Sequence, residues 1–279
     1  MTEVLRYAAF TDDPAGGNPA GVVLDASELD ETAMQAIAAE VGYSETAFLT
    51  AGADRALIVR YFSPETEVPF CGHATIAAAV AYAERYGTAD LHLETASGRV
   101  DVYVVDSGAG PIATLTSVEP HIEEVLADDV GEALAALRWD ATELDVALPA
   151  RVAYAGARHL LLGAATRGRL AALDYDFARL RRLMEARDWV TVALVFRCDA
   201  TTFDARNPFP TGGVVEDPAT GAAAAALGAY LRALGLIAPP VRLTVHQGED
   251  IGRPSLLLVD VPAGAHTGIR VSGRAVPIG

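Results

Sequence analysis

The feature that most limits what this chain can become is a segment used twice. The first copy runs from Arg60 to Gly87, RYFSPETEVPFCGHATIAAAVAYAERYG. The second runs from Arg206 to Gly235, RNPFPTGGVVEDPATGAAAAALGAYLRALG. Each reads as a strand end, a loop rich in Pro and Glu or Gly, a tight polar turn, and an Ala-rich helix followed by Gly. Anchoring the copies on Tyr82 and Tyr230 sets Gly87 against Gly235. It also lays the Cys71-Gly72 turn against Ala219-Thr220, one residue short of Thr220-Gly221. Two Ala-rich helices resemble each other by composition alone, but Arg, Pro, turn, Tyr and Gly in one shared order point to a duplicated unit. Helices built from Ala77, Ala78, Ala79 and Ala81, or from Ala222 to Ala226, have no bulky face. They can be packed closely on every side, so both are expected to be central and buried.

A chain of 279 residues that is 51% hydrophobic, with mean hydropathy +0.25, can bury one large core or two modest ones and is not disordered. The longest apolar run, Gly221 to Leu231, is too short for a bilayer, which takes about 20 residues. The opening MTEVLRYAAF carries Glu3 early and shows no signal-peptide pattern. Two cysteines, Cys71 and Cys198, suggest a reducing interior without a disulfide framework, so the expected location is the cytoplasm. A net charge of −16 argues against nucleic acid and anionic membrane as partners. An anionic small molecule would then need local attraction, of the kind helix N-termini provide.

Strands are expected over residues 4–10, 22–24, 46–50, 56–62, 91–95 and 100–105. Thr11 to Gly21 reads as a loop, because Gly16-Gly17 and Asn18-Pro19 are strong breakers. Ser27 to Val41 carries apolar residues at helical spacing, with Ser27 or Asp30 as the N-cap. Residues 117–150 change character and include a short helix over 127–137. The second half then offers strands at 152–154, 159–162, 190–196, 201–205, 241–246, 255–259 and 269–276, with a helix around 177–186. About two helices per half among many short strands predict an α+β protein of two pseudo-symmetric halves, each a sheet rolled round its longest helix. The N-terminal half is expected over 1–117, completed by the closing strand 266–279, and the C-terminal half over 118–265.

Chemistry is expected at the two turns. Asp217-Pro218 has the look of an N-cap followed by Pro at the first helical position, with Thr220 and Gly221 in the opening turn. Glu216 beside it is surplus to capping. His73 follows a Cys-Gly turn at the start of the other helix, and no second His stands at metal-ligand spacing, so no metal is expected. Cys71 at the same turn is a candidate thiolate base, but the duplicate turn has no cysteine, which disfavours a two-thiol racemase. Cys198 reads as buried. Glu45, in GYSETAFL, lies between a helix and a strand. A carboxylate held there among apolar neighbours could shuttle protons, or it could be a surface turn Glu.

The strings GNPAGVVLD, MQAIAAEVGYSETAFL, RYFSPETEVPFCGHAT, VEDPATGAA and QGEDIGRPS follow one another across nearly the whole chain. As an ordered set they resemble the PhzF family, the phenazine-biosynthesis isomerases, which are similar in fold to diaminopimelate epimerase. The resemblance implies two α+β halves, each a mixed or antiparallel sheet round a central helix, with the site in the cleft between them. It implies a cofactor-independent isomerase or epimerase in which Glu45 moves a proton between carbons of a small carboxylate substrate. His73 and Asp217 would hold and polarise that substrate. Gly72, Cys71, Thr220, Gly221, Ala222 and Asn18 would line its binding site, with Gly72 and the Thr220-Gly221 turn offering backbone donors. The family usually reads T-G-S-A where this chain has Ala222, so one hydroxyl donor is missing. That loss is worth about 1.5–3 kcal/mol if the bond is charge-assisted. A non-catalytic small-molecule binder on the same scaffold is the alternative. Family members are often homodimers, and exposed apolar residues over Val102 to Val105 would permit one here.

Overall fold

Strand pairing follows one order twice along the chain, and that order positions every candidate site residue. The computed structural model describes residues 2–279, the side chain of Arg55 excepted. The chain divides into two compact units, one made of the residues up to Thr116 with Ser272–Gly279, the other of Ser117–Val271.

In the first unit β1 (Leu5–Ala9) lies antiparallel to β2 (Asn18–Val23). Helix α1 (Glu31–Val41) crosses over to β3 (Glu45–Ala51), parallel to β2. Next, β4 (Leu57–Phe62) is antiparallel to β3 and carries the short β5 (Glu67–Val68). Helix α2 (Gly72–Tyr86) crosses over to β6 (Asp90–Thr95), parallel to β4, and β7 (Gly98–Asp106) and β8 (Pro111–Thr116) close the sheet as antiparallel neighbours. In the second unit β9 (His121–Glu123) and α3 (Ala127–Leu137) precede the repeat. There β10 (Arg151–Tyr154) is antiparallel to β11 (Arg158–Gly163). Helices α4 (Arg167–Ala171) and α5 (Phe177–Arg187) lead to β12 (Thr191–Arg197), parallel to β11. Then β13 (Thr202–Pro208), antiparallel to β12, carries β14 (Glu216–Asp217). Helix α6 (Gly221–Ala233) crosses over to β15 (Val241–Gln247), parallel to β13, and β16 (Ser255–Val261) is antiparallel to it. Finally β17 (Arg270–Gly273) leads to β18 (Ala275–Pro277), antiparallel to β1.

This is a mixed α+β fold, and the duplication is explicit in its registers. Phe48 stands opposite Arg60 as Leu194 stands opposite Arg206. Phe62 stands opposite Glu67 as Pro208 stands opposite Glu216. Counting on from those glutamates, Glu-Val-Pro-Phe-Cys-Gly in one copy matches Glu-Asp-Pro-Ala-Thr-Gly in the other, and both helices start at the Gly. Cys71-Gly72 therefore matches Thr220-Gly221, one residue on from the alignment that the tyrosines suggest. His73 matches Ala222, Asp217 matches Val68, and Glu45, first in β3, matches Thr191, first in β12.

The Ala-rich helices are central because small side chains let sheet and helix backbones approach. In α2 every residue from His73 to Ala81 is buried, and in α6 every residue from Ala223 to Leu231. At Gly228 a Cβ would stand 3.0 Å from methyls of both Val259 and Val261, so α6 packs closely on β16 and a larger residue would have to push those side chains aside. Smaller clusters anchor the flanking helices. Met34 and Ala38 of α1 pack with Phe48 and Phe62, whose rings meet edge to face at 5.5 Å. Trp139, Met184 and Trp189 fasten α3 and α5 in the second unit. Each such large apolar side chain contributes about 1.5–3 kcal/mol on burial. Among the described residues no helix is long and apolar enough to cross a membrane.

Three expectations change. Asn18-Pro19 lies inside β2, because Pro19 pairs only with β1 there and β3 joins from Ala20 onward, so its missing N–H costs no ladder bond on that side. Cys198 is exposed, sitting in the β12–β13 turn where its N–H donates to Thr202 O. Partial burial and the neighbouring Asp204 carboxylate push its thiol up to about 11. Over Val102 to Val105 in β7, Val102 and Val104 are buried and Tyr103 and Val105 are exposed, as strand alternation dictates.

Candidate active site

The first unit brings Glu45, Cys71 and His73 together. Glu45 opens β3 opposite Ala20, with Ser44 just before it. Cys71 is the N-cap of α2, with extended backbone and no side-chain cap bond, so His73 falls in the first turn of the helix. Thr75 fixes this turn: its Oγ1 donates to Cys71 O at 2.6 Å and its N–H to the same oxygen at 3.0 Å. Since that hydroxyl proton is committed, Tyr61 OH must donate to Thr75 Oγ1 across 2.7 Å. Burial pushes the Tyr61 phenol far up, which keeps it a donor.

His73 sits at the centre of the group. Its Nε2 lies 3.4 Å from Glu45 Oε2 and 3.3 Å from Ser44 Oγ. Its Nδ1 lies 3.3 Å from Cys71 Sγ. Cys71 and His73 are buried, and the Glu45 side chain is 17% exposed. A carboxylate, an imidazole and a thiol share one small volume, each able to hold or pass a proton. Asn18, also buried, is the first residue of β2 and pairs with Ala9.

The second unit holds the other turn, built differently from what the sequence suggests. Asp217 is not the N-cap of α6. It lies in β14 opposite Asn207, and the helix starts at Gly221 with Thr220 as N-cap. The long-range β13–β14 pairing outcompetes the local capping preference of Asp-Pro. Asp217 Oδ2 instead accepts from Thr220 Oγ1 at 2.6 Å. Gln247, at the end of β15, clamps the turn: Nε2 donates to Asp217 O at 2.7 Å and to Thr220 Oγ1 at 3.0 Å, while Oε1 accepts Thr220 N–H at 3.1 Å. Of the backbone donors expected at this turn, Thr220 N–H is thus already engaged. Gly221 and Ala222 are half-buried. Gly248, directly after Gln247, has φ +79°, and a Cβ there would meet Arg253 O at 2.2 Å, so only glycine brings the clamp this close.

Behind the turn Arg206 and Glu216 form a buried ion pair, Nε to Oε1 at 2.9 Å and Nη2 to Oε2 at 2.5 Å, and Arg206 Nη1 also donates to Ala171 O at 2.7 Å. Glu216, surplus to capping in the sequence, is therefore a scaffold residue. Alongside runs a buried chain: Thr191 Oγ1 donates to Asn207 Oδ1 at 3.0 Å, so His159 must give its Nδ1 proton to Thr191 across 2.8 Å. Burial drives the His159 pKa down to about 3, which keeps it neutral. Ser44, Tyr61, Arg206 and Gln247 are the supporting residues the sequence did not single out. Gln247 opens the QGEDIGRPS string, and Arg206 was visible as the Arg shared by both copies.

The model of the phenazine biosynthesis-like protein family, PhzC-PhzF, matches residues 7–279. The chain belongs to the PhzF family. An isomerase of Deinococcus radiodurans with no characterised activity is 35% identical over 270 residues, covering 94% of this chain and 87% of that one. The trans-2,3-dihydro-3-hydroxyanthranilate isomerase of Pseudomonas chlororaphis is 32% identical, covering 100% and 98%. Among solved structures, a PhzF-family protein of Bacillus anthracis superposes with a TM-score of 0.88 at 26% identity, covering 99% and 98%. The PhzF-family chain described here is accordingly an enzyme, an isomerase of the PhzF type.

Proposed function

We propose that Glu45 is the general acid and base of a cofactor-independent isomerisation of a small, carboxylate-bearing, unsaturated substrate. The Glu45 carboxylate takes a proton from a carbon next to the conjugated system. The electron pair left behind moves into that system, and the carboxylic acid returns the proton to a different carbon. Atoms and charge balance with no oxidant or reductant. The supporting observation is the 3.4 Å approach of His73 Nε2 to Glu45 Oε2 in a largely buried setting. The imidazole, held from its other side by Cys71, fixes the direction of the carboxylate and can polarise a substrate oxygen. By resemblance, Asp217 and the Gly221 end of α6 are assigned to substrate binding.

The test is proton exchange. A panel of small unsaturated carboxylates, with trans-2,3-dihydro-3-hydroxyanthranilate as its first member, is incubated with the protein in deuterated water. Turnover should carry deuterium into product. Glu45→Gln should abolish that label while the protein stays folded, and His73→Ala should mainly weaken binding. Label that persists undiminished in Glu45→Gln removes the proposed base. Thermal stabilisation by panel compounds without any label points instead to a binding protein.

A further inference from the structure

We propose that Glu45, Cys71 and His73 also form a three-ligand site for a thiophilic divalent cation of the zinc type, which binds as an inhibitor and not as a cofactor. One ligand atom from each residue lies within 4.8 Å of the other two. Zinc bonds of about 2.0–2.3 Å at tetrahedral angles set neighbouring ligand atoms about 3.3–3.6 Å apart. His73 Nε2 stands 3.4 Å from Glu45 Oε2 and 3.8 Å from Cys71 Sγ, so two edges of the tetrahedron are nearly formed. A turn of the imidazole and a carboxylate shift of about 1 Å complete it. The ligands come from the start of β3 and the start of α2, so the fold assembles them and no linear metal motif announces them.

Ligand chemistry selects the ion. A thiolate and an imidazole prefer zinc, cadmium or cobalt to magnesium or calcium. Binding releases the Cys71 thiol proton to solvent, and one thiolate with one carboxylate neutralises the dication. The low exposure of Cys71 and His73 keeps water from competing. Ser44 Oγ, 3.3 Å from the same Nε2, is placed to yield that lone pair to the metal. Inhibition follows because the metal would occupy the Glu45 and His73 lone pairs that proton transfer needs. That consequence rests on the proton-transfer reading above, but the binding itself does not.

The experiment titrates the full-length, chelator-treated protein with Co²⁺ as a visible stand-in and then with Zn²⁺. One equivalent of Co²⁺ should raise a near-ultraviolet thiolate-to-metal charge-transfer band, which Zn²⁺ removes and Mg²⁺ does not. Cys71→Ser and Cys71→Ala should both lose the band and weaken Zn²⁺ binding by at least about 100-fold, beyond the loss typical of residues that only orient a ligand. Using both variants guards against one that fails to fold. Cys198→Ala should retain the band. No band in the unaltered protein, a band that survives loss of Cys71, or one that vanishes with Cys198 overturns the site. Because the band needs no substrate, its absence is distinct from a failure of proton transfer, which only the deuterium assay reads.

Discussion

The two copies contain the same Arg–Glu ion pair at two depths, which makes a controlled experiment. In the second unit the Arg206 and Glu216 side chains are 7% and 2% exposed, whereas Arg60 and Glu67 in the first are 31% and 32% exposed. Bond geometry is alike: Arg60 reaches Glu67 through Nε at 2.7 Å and Nη2 at 2.6 Å. Glu216→Gln leaves the Arg206 cation buried without its counter-charge, which costs about 3–5 kcal/mol. Glu67→Gln leaves Arg60 with water and with Glu31 at 2.9 Å, so the cost should be about 0–1 kcal/mol. At about 2–4 °C per kcal/mol, thermal midpoints should fall by roughly 6–20 °C and by at most about 4 °C, respectively. Urea unfolding at unchanged m-value provides the free energies. Replacing both partners, Arg206→Met with Glu216→Met, should recover most of the loss, since no uncompensated charge remains. Equal losses for Glu216→Gln and Glu67→Gln, or a loss under about 1 kcal/mol for Glu216→Gln, would refute the argument that burial sets the value of the pair.

Two further outcomes are expected. His159 ionises near pH 3 in the folded chain and near 6.5 unfolded, so its contribution is complete above pH 6.5 and is lost as pH falls from there towards 3, on the order of 5 kcal/mol in all; His159→Gln should flatten that part of a urea-stability profile, and an unchanged profile would mean that His159 takes up a proton in the folded state. Gln247→Leu removes three hydrogen bonds from the Asp217–Thr220 turn and should cost about 1–3 kcal/mol; a thermal midpoint matching the parent would show that the turn holds without its clamp.

What could be read in the sequence was local, and what escaped was paired at long range. The apolar run from Gly221 to Leu231 falls inside helix α6, because Ala-rich composition needs no partner to be seen, although the helix starts three residues after Pro218, the expected first position. Helix α2 starts at Gly72, one residue before His73 and inside the expected Cys-Gly turn, and that start is fixed by Thr75 and Tyr61. Asp217 was misplaced as a cap because nothing near it reveals that Asn207 pairs with it. The alternative N-caps of α1 resolve to Asp30, which accepts from Ala33 N–H. Pro111–Thr116 and Arg167–Ala171 went unread, being short elements between stronger signals. Glu45 entered the site through resemblance, and no spacing rule would have joined it to His73 across 28 residues of chain.

The matched registers of the two turns carry a lesson about how such a protein can change. Glutamate, proline and glycine recur at fixed positions, while the places between them hold Val68, Phe70 and Cys71 in one copy and Asp217, Ala219 and Thr220 in the other. The frame that launches each helix is thus separable from the side chains it displays. A lineage built this way can exchange its reagents like inserts in a fixed mount, which gives new substrates a route into the scaffold without redrawing the sheet.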